Sequence, residues 1–154
     1  MALDFFSNTT GFRKWVRGSD ASANIDEMAA SYNTAKNIVF GIIEKTLWDL
    51  LLAYYINPDP VDPKKTKLVE YIQSALANFT MIDEFPYIAA EADKEWYKYE
   101  VDGQLNRYRN NGWSALNNMI SFLDANSTDF TDWEDTEAYT ERKKLIISDH
   151  KGIR

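Results

Sequence analysis

Fourteen of the chain's 24 acidic residues crowd into two short stretches, seven within 83–102 and seven within 124–141. Carboxylates at that density can shuttle protons to a substrate or hold a hard cation. The sharpest template is the calcium loop, whose positions 1, 3 and 5 are matched by Asp124, Asn126 and Thr128. Position 6 is Asp129 where the loop needs Gly for its sharp turn, and position 12 is Asp135 where it needs the longer Glu as a bidentate ligand. Two other groupings could carry a metal: Glu91 with Asp93 and Glu95, or Asp129 with Asp132. Helical metal sites usually add a Glu-x-x-His pair, and the sequence has none. The simpler reading places Asp132, Glu134 and Asp135 at the start of a helix, where negative charge complements unpaired N–H groups. No metal and no cofactor is expected.

Nucleophilic chemistry finds less support still. There is one histidine, His150, and no cysteine, which removes most catalytic triads, thiolate metal sites and disulfide frameworks. The six glycines are scattered and build no phosphate-cradling loop. The chain therefore reads as a protein that is not an enzyme. Its net charge of -7 argues against nonspecific binding to a phosphate backbone. Basic residues gather in "RKWVR" (13–17), "KKTK" (64–67) and "RKK" (142–144), with Lys151 and Arg154 beyond. The first interleaves base with an aromatic, as nucleic-acid binders do, but on an acidic chain it reads as an arm that meets an acidic partner surface. Three N-x-[ST] sequons, at Asn8, Asn78 and Asn126, read as chance.

The elements that must position these residues are helical. The 154 residues suffice for one domain with its own core. Residues 1–23 form an irregular N-terminal arm whose Phe5, Phe6, Phe12 and Trp15 need a place to pack. Asn24 with Glu27 resembles a capping pair, ahead of a face formed by Ile25, Met28, Ala29, Tyr32, Ala35, Val39 and Ile42. A second helix covers about 45–56 and stops at "NPDPVDP" (57–63). Asp62 caps a third, with Pro63 at its first position, and Pro86 with the acidic stretch 89–95 forms the next connection. A fourth runs from about Glu95 to Asp124 with Val101, Leu105, Tyr108, Gly112, Leu116, Met119 and Leu123 on one stripe. There Gly112 would let a neighbouring helix approach closely. Thr131 with Glu134 predicts a last helix over about 132–147, through Tyr139, Leu145 and Ile146. No strand alternation persists. The expectation is an all-α, single-domain bundle of four to five helices over 24–148, with a tail at 149–154. The apolar runs fall short of the roughly 20 residues needed to span a bilayer, and the opening residues lack the pattern of a signal peptide. The expected setting is soluble and intracellular.

Three strings carry a resemblance: "LVEYIQSALANFTMIDEFP" (68–86), "WYKYEVDGQLNRYRNNGWSALNNMISFLDAN" (96–126) and "FTDWEDTEAYTERKKLIIS" (130–148). Their shared features are an "ALAN" helix ending before Pro, a Gly-aromatic-x-Ala-Leu helix leading to "FL", and an F-x-x-W junction. Together they resemble an uncharacterised helical family of tailed phages and prophages of gut Bacteroidetes-type bacteria, similar in arrangement to head–tail connector (adaptor) proteins. The resemblance implies a structural virion protein in the neck between capsid and tail, present in the host cytoplasm during assembly. It would form a homo-oligomeric ring on the portal, touch neighbouring neck or tail proteins, and pass DNA only as cargo. Its contacts with portal or neighbouring subunits are expected in the two arms, at Phe5, Phe6, Phe12, Arg13 and Trp15, and at Arg142, Lys143, Lys144, Lys151, Ile153 and Arg154. A small intracellular protein-binding module without catalytic activity is the alternative.

Overall fold

A computed structural model describes residues 3–16, 24–92 and 95–143. Within them the chain is all-α, with no strand. The arm carries α1 (Thr9–Arg13), and a single 3-10 turn (Ile25–Glu27) follows. Three long helices make the bundle: α2 (Ala29–Ile56), α3 (Pro63–Glu91) and α4 (Lys98–Ala125). Short α5 (Thr131–Glu134) and a further helical stretch, α6, over 137–143 close the described chain. No helix among the described residues is long and apolar enough to cross a membrane.

The sequence signals act locally as their chemistry dictates. Asp62 accepts from the N–H groups of Lys64 (2.9 Å) and Lys65 (3.4 Å), and Pro63 begins α3 where its missing N–H costs nothing. Leu68, Ile72, Ala75, Leu76 and Phe79 then line its buried face, as their spacing requires. α3 packs against both α2 and α4 and is the central helix of the bundle. Each fully buried Leu or Ile on it contributes roughly 1.5–3 kcal/mol relative to exposure. On α4 the stripe through Tyr108, Gly112, Leu116, Met119 and Leu123 is buried. At Gly112 the Phe79 ring of α3 occupies the space of the missing side chain, because a Cβ built there would stand 2.9 Å from Cε1 of Phe79.

Three expectations need correction. Pro86 does not end α3, which continues to Glu91. Phe85 and Ile88 are buried on either side of the proline, and Phe85 packs edge-on against Trp96 (5.1 Å) and Tyr108 (5.7 Å). That packing outweighs one lost backbone hydrogen bond, and the exposed side of the helix is left to absorb it. The last helix is also not continuous. Thr131 provides no side-chain cap, α5 ends at Glu134, and Thr136 starts α6 by accepting the Tyr139 N–H at 3.2 Å. The expected positions Leu145 and Ile146 lie outside the described residues. Finally, Asn24 caps only the 3-10 turn, accepting from Asp26 N–H at 3.1 Å, and α2 begins at Ala29.

The division expected near residue 44 is present as a kink. Glu44 interrupts α2 with φ 61° and ψ 175°, a region that residues with a Cβ rarely enter and that costs about 1–3 kcal/mol. Its carboxylate Oε2 accepts the backbone N–H of Glu137 at 2.8 Å, which caps α6. The kink and the start of α6 are one structural unit.

Candidate protein-interaction surface

The arm aromatics expected to reach a neighbour are used inside the chain. Phe5, Phe6 and Phe12 are 0%, 1% and 0% exposed, so their side chains cannot meet a partner while the bundle is folded. Phe5 has φ 64° and turns its ring edge-on to Trp48 at 5.0 Å. Its carbonyl accepts from Gln73 Nε2 at 2.8 Å. Phe6 meets Phe12 (5.2 Å) and Tyr32 (6.4 Å). Tyr32 donates to the Asp4 carbonyl at 2.7 Å, and Lys36 pairs with the Asp4 carboxylate at 2.7 Å. Burial, with the Asp4 charge second, pushes the Tyr32 phenol far above its ordinary range. The arm is thus a clamp over α2 and α3. Trp15 is half-buried with Lys14 Nζ 5.0 Å over its ring, and Arg13 is half-buried.

At the other end, Arg142 binds Asp124 of its own chain, so part of the basic tail is matched to the acidic face within one molecule. Asp124 also accepts from Trp133 Nε1 at 2.9 Å, which folds α5 back on the end of α4. Lys143 is exposed, its Nζ 5.3 Å over Tyr139. Lys144, Lys151, Ile153, Arg154 and His150 lie outside the described residues.

The acids considered for a cation are separated. Asp129 pairs with Lys64 at 2.5 Å, and Asn126 donates to the Phe122 carbonyl at 2.9 Å. Asp132 and Asp135 border a depression of about 90 Å³ beside Glu44 and Thr136. Asp93 lies outside the described residues. Among the described residues no group of three or more His, Cys, Asp or Glu is placed to hold a metal ion. The sequons serve the fold: Asn8 caps α1, accepting from Gly11 N–H at 2.8 Å, and Asn78 is 1% exposed.

Large apolar side chains open to a partner include Ile56 and Val61 between α2 and α3, Trp113 on α4, and a group of three tyrosines at the tip where α3 meets α4. Tyr87 (69%), Tyr97 (57%) and Tyr99 (73%) are exposed there. The Tyr97 and Tyr99 rings stack at 5.9 Å with an 8° interplanar angle. Exposed Glu91, Glu95 and Asp102 share this tip. Tyrosines with a polar end and a flat apolar body are enriched in protein contacts, and the acids around them suit a surface that carries bases. The sequence held a signal for this surface. Tyr99 sits two residues from Val101, out of step with the buried stripe of α4.

A family of unknown function (DUF6712) matches residues 87–143, which span this tip, α4, α5 and α6. No curated protein and no solved structure matches the chain.

Proposed function

We propose that the chain is a structural assembly protein, a helical head–tail connector that docks on a phage portal as a ring and borders the DNA channel. The exposed tyrosine tip supports this reading. With Phe5, Phe6 and Phe12 spent on the core, Tyr87, Tyr97 and Tyr99 with their flanking acids are the contact a neighbour would use. Lys143, with Lys144, Lys151, Ile153 and Arg154, supplies a second, basic contact on the next subunit or the portal. A net charge of -7 keeps the channel wall from gripping DNA in passage. The protein works in the virion neck and gathers there from the host cytoplasm, without a cofactor and without catalysis.

The test is a solution mass of the chain, alone and mixed with the portal protein encoded in the same genome. A complex with several copies per portal ring is expected. The combined Tyr87→Ser, Tyr97→Ser and Tyr99→Ser variant should lose that complex while keeping its helical circular dichroism. A monomer in both samples would overturn the connector reading and leave a binding module for another protein.

A further inference from the structure

We propose that the exposed tyrosine tip binds the basic tail, residues 143–154, of a second copy of this chain, so that tip and tail are the two halves of one copy-to-copy interface. The proposal names the occupant of the tip and to that extent rests on the connector reading. Between residues 83 and 102, the stretch that leads over the tip, seven acids stand against two lysines. Exposed Glu91, Glu95 and Asp102 border the tyrosines. Asp102 follows Tyr99 by three positions on α4, a spacing that makes them neighbours on the helix surface. The tail reads KKLIISDHKGIR, four bases against one acid, with Leu145, Ile146 and Ile147 in a row. Its apolar side chains match the flat Tyr97–Tyr99 stack, and its cations match both the carboxylates and the faces of the rings.

The other open surfaces lack one half of this match. At the corner between α2 and α3, Ile56 and Val61 are exposed, but Lys64, Lys65 and Lys67 outnumber Asp59 and Asp62. Trp113 is half-exposed one helical turn from Arg109, an exposed base. The acidic stretch 124–141 leaves none of its described large apolar side chains exposed: Phe130 and Trp133 are buried, and Asp124 and Asp129 already pair with Arg142 and Lys64. Distance then assigns the contact to a second copy. Arg142 is held at Asp124, near the C-terminal end of α4, whereas Tyr97 and Tyr99 stand at its N-terminal end, about 40 Å away at roughly 1.5 Å per residue. Lys144 and Lys151 follow Arg142 by two and nine residues, at most about 7 and 32 Å of fully extended chain. Lys144 therefore cannot reach the tip of its own molecule, and Lys151 approaches it only at full stretch. Between copies that limit vanishes. One copy's tip then takes the next copy's tail, a heterologous contact that closes as a ring where the rotation between copies allows.

The test is carbodiimide cross-linking of the full chain without portal protein, as an equal mixture of ¹⁵N-labelled and unlabelled copies at about 0.5 mM, where weak complexes are populated. The reagent condenses a carboxylate with a lysine amine in direct contact, and peptide mass spectrometry identifies the pair. Expected are links from Glu91, Glu95 or Asp102 to Lys143, Lys144 or Lys151 that join labelled to unlabelled chains. The Tyr97→Ser, Tyr99→Ser variant keeps every carboxylate and amine, and should lower those links roughly fivefold or more with its helical circular dichroism unchanged. Mixing a Glu95→Lys, Asp102→Lys copy with a Lys144→Glu, Lys151→Glu copy should create links between positions 95 or 102 and 144 or 151, which neither variant forms alone. Links confined to one label would overturn the proposal, because the tail would then lie on its own molecule. No tip–tail link, or links undiminished in the tyrosine variant, would overturn it equally. A portal complex formed without the link strikes this contact and leaves the connector reading standing, whereas the link without a portal complex keeps the contact and removes the portal.

Discussion

Gly112 offers a measurement of how closely α3 and α4 approach, with two internal controls. Gly41 and Gly103 are also helical, yet a Cβ at either would meet nothing within 4 Å. Replacing a helical glycine by alanine gains up to about 1 kcal/mol from backbone propensity, so Gly41→Ala and Gly103→Ala should each stabilise by about that amount. At Gly112 the added carbon would lie 2.9, 3.1 and 3.2 Å from three atoms of the Phe79 ring, well inside the roughly 3.5–4.0 Å of a relaxed carbon contact. Phe79 is 5% exposed and meets the half-exposed Trp113 edge-on at 5.2 Å, so its ring has little free space and its retreat must move Trp113 as well. Overpacking of this kind costs about 1–3 kcal/mol. The propensity gain is therefore cancelled or reversed, and Gly112→Ala should fall about 1–3 kcal/mol below Gly103→Ala. For a chain of this length that gap is about 2–12 °C in melting temperature. Thermal and urea unfolding followed by circular dichroism read it directly. Gly112→Ala rising in step with the two controls would refute the close approach.

At Glu44 the usual order of alanine and glycine should invert. Both substitutions remove the carboxylate that caps α6, but glycine accepts φ 61° freely, so Glu44→Gly should be more stable than Glu44→Ala by about 1–3 kcal/mol in urea unfolding. Phe12→Ala should cost about 3–5 kcal/mol in the same assay, since the ring is fully buried; a surface-sized loss would restore the arm as a free docking segment. Alkali should destabilise the fold. Burial first and Asp4 second raise Tyr32, and burial raises Tyr108 against lesser opposing pulls from Gln104 and Arg107. A raised folded value means that the folded state holds its protons longer than the unfolded chain, whose phenols titrate near pH 10. Stability is thus full below about pH 10 and falls as pH rises beyond it. Tyr32→Phe should flatten that fall in unfolding measured between about pH 8 and pH 11.

The helices were legible where one residue type has one local use. Asp62 with Pro63 fixed the start of α3, and the 3.6-residue beat fixed the buried faces of α3 and α4. Pro86 is a misleading local signal because the helix is held through it by the burial of Phe85, whose ring partners Trp96 and Tyr108 come from the loop before α4 and from α4. The cap at Thr131 misled because the true start of α6 draws on a carboxylate 93 residues earlier in the chain, at Glu44. The arm's aromatic content marks it as a segment in need of partners, and Phe5, Phe6 and Phe12 are buried. Whether those partners lay within the chain or on a neighbour is a tertiary fact that no window of sequence holds. The tyrosine tip escaped for the opposite reason: exposed Tyr87, Tyr97 and Tyr99 look, by composition, like core.

The clamp formed by residues 3–16 sets an order on synthesis. Its anchors lie far downstream: Ser7 N–H reaches Tyr55, Phe5 is held by Gln73, and the Trp15 carbonyl by Asn78. A ribosome adding about 5–20 residues per second delivers those anchors seconds after the arm itself has emerged. Through that interval Phe6 and Phe12 have only each other and Tyr32, and closing loops of this length carries an entropic cost that local helix contacts do not. The first part of the described chain to be made is therefore fully seated only after much of α3 has been made. Nascent chains too short to include Gln73 and Asn78 present the arm without those two anchors to the cell's folding machinery.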